Sequence, residues 1–412
     1  MDFEARQRSM ERILTAHEDW RRQCANLIAS ENATSDQVRA LLNSDLSHRY
    51  GDYLGRDLSK RKYFGNTYIK ELEKEVTDLA SELFRASEIE LRTISGHVAG
   101  ICVLMGLLNP GDVVLEVGGD GGGHRLAAKF AESPLIDLDV QFLPFDGARY
   151  NIDLERLNTV IHARRPRMVI LGSSNFLFPH PVREIKSMLS GIPSAILAYD
   201  ASHVMGLVAA GRFQDPLREG ADIVFGSTHK TLPGPQGGII FSDNKDLMER
   251  VSAAVYPAVV TNHHLARLPS LGMAFLEMLS FGGEYADAIV RNAEALAESL
   301  EKHGVEAVSY EGRHTESHTI LVKVSPYGNG SDVAAYLEQC GIIVTNAKLP
   351  VQHGIEGLRV GVQEVTRFGA DEECMSALGA LMAEGIRKTK SPLEIQSEVR
   401  VMVSRWNKLR FC

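Results

Sequence analysis

Between about Arg92 and Ser242 the chain alternates short apolar runs with helical or glycine-rich stretches, and no other feature narrows its fold as much. The runs are Val113–Val117, Met168–Leu171, Ala195–Tyr199, Ile223–Phe225 and Gly238–Phe241. Strands covered on both faces read as continuous apolar runs, so the alternation predicts a mainly parallel sheet with helices on either side, an α/β fold. Ligands in such folds gather beyond the carboxyl ends of the strands.

The flanks read differently. Residues Phe3–Gln23 have the spacing of an amphipathic helix, followed by the short segment LIASEN, Leu27–Asn32, where a substrate-facing loop begins. Ser47–Tyr68 is rich in Tyr, Gly, Arg and Asp and reads as loop, and Leu72, Val76, Leu79 and Leu83 then recur at helical spacing. A long helical pattern from Leu265 to His303, interrupted near Phe281-Gly282-Gly283, leads to strands at Thr319–Val324, Ile342–Thr345 and Leu358–Val362 and helices at Val333–Gln339 and Glu372–Lys388. The predicted organisation is an N-terminal helical arm, residues 1–25, a large domain, residues 26–275, and a smaller α+β domain, residues 276–412.

With 412 residues, 44% hydrophobic and 24% charged, the chain builds a sizeable core. Its net charge of -9 does not point to nucleic acid, and the basic segment Ala163–Arg167 reads as solvated or interfacial. Cys24, Cys102, Cys340, Cys374 and Cys412 form no CxxC pair, so neither a disulfide framework nor a metal cage is indicated, and a reducing cytoplasm is expected. No apolar stretch has the length of a membrane span, and the first residues lack the pattern of a signal peptide.

The chemistry concentrates at two strand ends. Tyr199-Asp200-Ala201-Ser202-His203 closes one apolar run and Ser227-Thr228-His229-Lys230-Thr231 a later one. A lysine amine forms a Schiff base with an aldehyde cofactor, and an aspartate against a pyridine nitrogen keeps that nitrogen protonated so that the ring accepts electrons. Taken singly, Lys230 is one solvated lysine among many and Asp200 a strand-end cap. What makes them specific together is the glycine-bearing turn Lys230-Thr231-Leu232-Pro233-Gly234-Pro235-Gln236-Gly237-Gly238 that follows.

From LIASEN at Leu27 to Thr366-Arg367 the chain resembles the serine hydroxymethyltransferases. The archaeal branch is the nearest in pattern, through Phe178-Pro179-His180-Pro181-Val182, Phe213-Gln214-Asp215-Pro216-Leu217 and Val259-Val260-Thr261-Asn262-His263-His264. The resemblance implies a fold-type-I, aspartate aminotransferase-like enzyme that uses pyridoxal 5'-phosphate on an amino acid. It implies a phosphate site at Ser95 and Gly96, a ring-stacking histidine at His124, a contact to the cofactor's phenolic oxygen from Ser174, and histidines around the Schiff base at His203 and His229. Arg359, in Gly357-Leu358-Arg359-Val360-Gly361, matches the arginine that grips the substrate carboxylate, and Ser30 and Tyr63 match substrate-side positions. The family is a homodimer in which a loop of one subunit completes the other's phosphate site; here that loop is Tyr256–His264, with Thr261 and Asn262 as the contacts.

The departure lies after Tyr50, the family's first active-site tyrosine. Hydroxymethyltransferases carry Ala-Glu-Gly there, the glutamate working beside the substrate hydroxyl, whereas this chain has Gly51-Asp52-Tyr53 in a longer loop, and Tyr-Tyr-Gly becomes Tyr63-Phe64-Gly65. Either Asp52 and Tyr63 do the same proton transfer or the chemistry differs. Three readings follow: a hydroxymethyltransferase or aldolase on a β-hydroxy amino acid, a lyase or decarboxylating enzyme on a modified amino acid such as a cysteine S-conjugate, and a non-catalytic binding relative. Tetrahydrofolate or a related pterin belongs to the first as one-carbon acceptor; no residue is assigned to it, although Asn346 lies where family members touch the folate.

Overall fold

The computed structural model describes residues 2–133, 137–349, 356–406 and 408–412. Its centre is a seven-stranded sheet of β1 (Glu88–Glu90), β2 (Val113–Glu116), β3 (Asp139–Phe142), β4 (Met168–Leu171), β5 (Ile196–Asp200), β6 (Ile223–Ser227) and β7 (Gly238–Ser242). In space the order is β1-β7-β6-β5-β4-β2-β3; β2 to β6 pair in parallel and β7 is antiparallel to both its neighbours. The strand order reverses beside β2, which opens a crevice at the carboxyl ends of β2 and β4. β4 is buried at all four positions and β6 at all five, which is why both appear in the sequence as unbroken apolar runs.

Two apolar clusters cover the two faces. One contains Leu115, Val169, Leu197, Val224 and Ile239, the other Val114, Met168, Ile196, Ile223 and Ile240, the alternate residues of the same strands. Helix α1 (Phe3–Arg21) buries no residue within the chain, whereas α2 (Thr67–Phe84) turns Ile69, Val76, Ala80 and Leu83 inward. Helix α3 (Gly96–Leu107) begins at the Ser95 N-cap, whose hydroxyl accepts from Val98 N at 3.1 Å.

Helix α4 (Arg267–Lys302) runs unbroken for 36 residues, so the expected interruption at Gly282-Gly283 does not occur. A glycine pair reads as a breaker only while packing is unknown; here Gly282 is buried, with Met278 and Ala210 around it, and the apolar residues on both sides carry the helix through. Beyond it, β8 (Thr319–Lys323), β9 (Thr345–Lys348) and β10 (Glu356–Gly361) form an antiparallel sheet in the order β8-β10-β9, against which α4 and the helix Gly330–Gln339 pack, while α5 (Glu372–Arg387) lies on α4 and α6 (Pro392–Val403) on α5. The segment Leu27–Asn32 threads between the two sheets: Leu27 O accepts from Gly361 N at 2.8 Å, and the Gln363 amide donates to Ile28 O and Glu31 O at 2.9 and 2.6 Å. None of the helices among the described residues is long and apolar enough to cross a membrane.

Candidate active site

A cavity of about 220 Å³ lies at the carboxyl ends of the parallel strands, where the sheet order reverses. Ser95 and Gly96 reach it from the start of α3, His124 from the turn after β2, Ser174 from the end of β4, Asp200 and His203 from β5, and His229 and Lys230 from β6. These eight residues were expected there from sequence, and His97, Ser173, Ser202 and Ser227 join them.

The backbone holds these groups close. A Cβ on Gly96 would overlap Ser227 Oγ and stand 2.7 Å from Ser227 N, so only glycine lets α3 approach β6 this tightly. The loop after β2 is tied to the loop after β4, with Ser174 N donating to Gly122 O at 2.8 Å and Ser173 Oγ to the same oxygen at 2.8 Å. Asp200 Oδ1 accepts from Ser202 N at 2.9 Å, and the Ser202 hydroxyl accepts from Ser227 N at 3.1 Å. Asn32 Nδ2 donates to the Lys230 carbonyl at 2.6 Å, fixing the lysine's backbone from the Leu27–Asn32 segment.

Burial governs the electrostatics. It lowers Lys230 to about 8, against the opposing pull of the Asp200 carboxylate and with help from the Arg359 charge. His229 falls to about 4 and His203 well below its ordinary value, each driven first by burial and then by the Lys230 charge, so both rings are neutral at pH 7. Nδ1 of His203, Nδ1 of His229 and Nε of Arg359 are buried without a hydrogen-bond partner among the described residues. Buried polar atoms of this kind ask for a polar occupant. A helix N-terminus with a hydroxyl cap, an amine near neutrality and a carboxylate one strand away fit a phosphorylated aldehyde with a basic ring nitrogen.

The remaining expected residues lie outside the cavity. Arg359, on β10, donates through Nη1 to Ser174 O at 3.0 Å, and its charge reaches Lys230 and His203. Ser30 is in the threaded segment next to Ala29, whose carbonyl lies 3.1 Å from His318 Nε2; that imidazole stacks on His203 with centroids 5.7 Å apart. Tyr50 and Tyr63 pair with each other at 5.4 Å and are 51% and 37% exposed. Asp52 is 5% exposed, with Oδ1 4.0 Å from His263 Nδ1, and His263 Nε2 is 2.6 Å from Glu73. Arg61 pairs with Glu73 and bonds Gly51 O. Thr261 is exposed, and Asn262 has a buried Oδ1 without a partner among the described residues. Sequence reasoning missed His97 and Asn32 as site residues; Asn32 was quoted in LIASEN, but a side chain's distant backbone partner leaves no local pattern.

The doubly wound sheet, with lysine and aspartate facing one crevice from neighbouring strand ends, defines a pyridoxal-phosphate-dependent enzyme of fold type I. The model of the serine hydroxymethyltransferase family matches residues 3–382. Serine hydroxymethyltransferases of Archaeoglobus fulgidus and Methanobrevibacter smithii are 40% and 39% identical, over 97% and 100% of this chain and 91% and 96% of theirs. The crystal structure of L-threonine transaldolase from Pseudomonas fluorescens in its internal aldimine state superposes with a TM-score of 0.92 at 28% identity, covering 100% of this chain and 96% of that one. The chain belongs to the serine hydroxymethyltransferase family.

Proposed function

We propose that this protein is a homodimeric aldol enzyme that breaks and re-forms the Cα–Cβ bond of a β-hydroxy amino acid, with L-threonine as the first substrate to test. The observation that carries the reading is the convergence of Lys230, Asp200 and the Ser95-Gly96 helix start on one cavity, with Arg359 facing them from the other sheet. When bound, pyridoxal phosphate supplies the electron sink for the pair left on Cα. The chain does the rest. With a value near 8, about a tenth of Lys230 is the neutral, nucleophilic amine at pH 7. With the cofactor bound, Asp200 would offer its carboxylate to the ring nitrogen, Ser95 and Gly96 would hold the phosphate, His124 would stack on the ring, Ser174 would serve the phenolic oxygen, and His203 would stand near the Lys230 amine. Arg359 and Ser30 orient the substrate carboxylate, which decides which bond at Cα stands ready to break. His229, neutral beside Lys230, is placed to exchange a proton with that amine.

What one chain leaves uncovered supports the dimer. Phe3, Met10, Ile13 and Leu14 of α1 and Phe64 of the loop are exposed, as are Tyr50 and Tyr63, which stand away from their own cavity. A second protomer covers these surfaces and receives Tyr50 and Tyr63 beside its substrate, with Thr261 and Asn262 at its phosphate. Asp52 is held inside by the surroundings of His263 and Arg61, so it joins the proton transfer only if the loop rearranges; the reading therefore places the phenols first and needs no pterin.

The test is a product assay on the cofactor-loaded protein with L-threonine, L-serine and an S-alkyl cysteine, each with and without tetrahydrofolate. Acetaldehyde and glycine from threonine, unchanged by tetrahydrofolate, and incorporation of a second added aldehyde are expected. Pyruvate and thiol from the cysteine conjugate without aldehyde release would establish the lyase instead. Failure to bind cofactor after reconstitution would leave only a binding relative.

A further inference from the structure

His97 is the second residue of α3, directly after the Ser95-Gly96 pair, and has no role in the reading above. Its Nδ1 lies 3.2 Å from Nε2 of His124, and the rings meet at 83° with centroids 5.4 Å apart. Two imidazole nitrogens at that distance repel unless one carries a hydrogen and the other a lone pair, so the tautomer of either ring dictates that of its partner. Burial lowers both rings below the ordinary histidine value; Lys129 adds to the effect and Asp200 opposes it in each, and His97 and Lys230 lower His124 further. Both are neutral at pH 7, the state in which a tautomer is there to be fixed.

The backbone around His124 leaves that ring little besides its own torsions. Gly122 has φ of 72°, Gly123 N donates to Gly118 O at 2.8 Å, and a side chain on Gly123 would overlap the Val117 carbonyl. His97 is anchored as firmly, on a helix whose first turn is capped by Ser95 and pressed against β6. Two rigid elements thus present two imidazoles to each other across the mouth of one cavity.

We infer that His97 is a positioning residue: its hydrogen bond fixes the plane of His124, the ring that would lie over the cofactor, and ties the tautomer of that ring to its own. The inference rests on the proposed function for its purpose, while the hydrogen bond itself can be read without cofactor. Nitrogen-15 spectra of the two rings in the apoprotein should show matched tautomers, with the hydrogen on Nδ1 of His97 and a bare Nε2 on His124 or the reverse. His97→Asn keeps a group that donates or accepts near the place of Nδ1 and should keep Nε2 of His124 hydrogen-bonded; His97→Phe keeps the edge-to-face ring without the nitrogen and should move that Nε2 resonance to its unbonded position. On reconstitution with pyridoxal phosphate, His97→Phe should lose most of the induced circular dichroism of the cofactor band and bind about three- to tenfold more weakly, the effect of one neutral hydrogen bond, with His97→Asn close to the unsubstituted protein. A hydrogen on both facing nitrogens, or on neither, in the unsubstituted apoprotein would overturn the inference without any variant, as would a correctly folded His97→Phe with an unchanged His124 Nε2 resonance and dichroism. Should no form of the protein bind pyridoxal phosphate, the proposed function falls and the cofactor role of His97 with it, even where the matched tautomers stand.

Discussion

Lys230 carries a cost that can be measured in the apoprotein. Its amine titrates at about 8 in the folded chain against 10.5 for the free side chain. Below pH 8 both folded and unfolded chains hold the proton, and the folded state bears the full penalty of a buried ammonium. As pH rises from 8 to 10.5 the unfolded chain binds more protons than the folded one, so stability climbs with pH and the penalty disappears. The gap of 2.5 in pKa corresponds to about 3 kcal/mol at pH 7. Lys230→Met, similar in volume and without charge, should therefore stabilise the apoprotein by roughly that amount at pH 7, less the loss of any contact the amine makes. Urea unfolding of both proteins, followed from pH 7 to 10.5, should give two midpoints that converge as pH rises. A variant no more stable at pH 7, or a difference that stays constant with pH, would refute a buried and depressed amine. Asp200→Asn supplies the sign check: the Asp200 carboxylate raises Lys230, so its removal should depress the amine further.

Three further outcomes follow from packing and burial. Gly96→Ala forces α3 off Ser227 in the cofactor cavity and should cut cofactor retention at least tenfold, read as absorbance after gel filtration, with far-ultraviolet dichroism unchanged. His180 and His318 are buried and pushed down to about 3, so the unfolded chain binds more protons between pH 6.5 and 3; stability should fall as pH drops through that window, and His318→Gln should flatten the fall by up to about 5 kcal/mol. Arg367, fully buried, pairs with Glu277 and donates to Ala33 O and Phe411 O; Arg367→Met leaves that carboxylate alone and should cost about 3–5 kcal/mol in urea unfolding, much of it recovered by adding Glu277→Gln.

The parts of this molecule that were readable beforehand are those whose physics is local. Strands β4 to β7 are buried on both faces and stand out as apolar runs whose ends put Asp200 and Lys230 where such folds bind ligands, whereas Ser95, Gly96, His124, Ser174, His203 and His229 are expected there only through the family resemblance. β1 and β3 went unread: Glu88–Glu90 and Asp139–Phe142 are short edge strands half made of polar residues, with no period to mark them. Helix α6 was missed too, although Ser391 and Glu394 form a capping box around Pro392 that signals its start.

Asp52 shows where local reading ends. In the sequence it occupies the place of a proton-transfer carboxylate, and its immediate neighbours do not say otherwise. Its surroundings come from the return of its own loop, with Arg61 and Lys62, and from three distant stretches of chain: Glu73 from α2, Arg92 after β1, and His263 before α4. Lys62 N bonds Asp52 O at 3.2 Å and Tyr53 bridges Arg61, so the loop folds back as a hairpin, with Tyr53 clamped between the Arg61 and Arg92 guanidiniums at 5.0 and 4.4 Å. Burial raises the Asp52 carboxyl, while His263, Lys62, Arg92 and Arg61 pull it back. The net direction stays upward, so the charges of Arg61 and Arg92 offset burial only in part, and Asp52 Oδ1 has no hydrogen bond among the described residues. Glu73 and Glu90 still pair with those two arginines, so the loop is held by a network rather than by Asp52 alone. The residue's direction is thus set by charges that meet only in the folded chain, and a one-methylene change between aspartate and glutamate acquires its meaning from them.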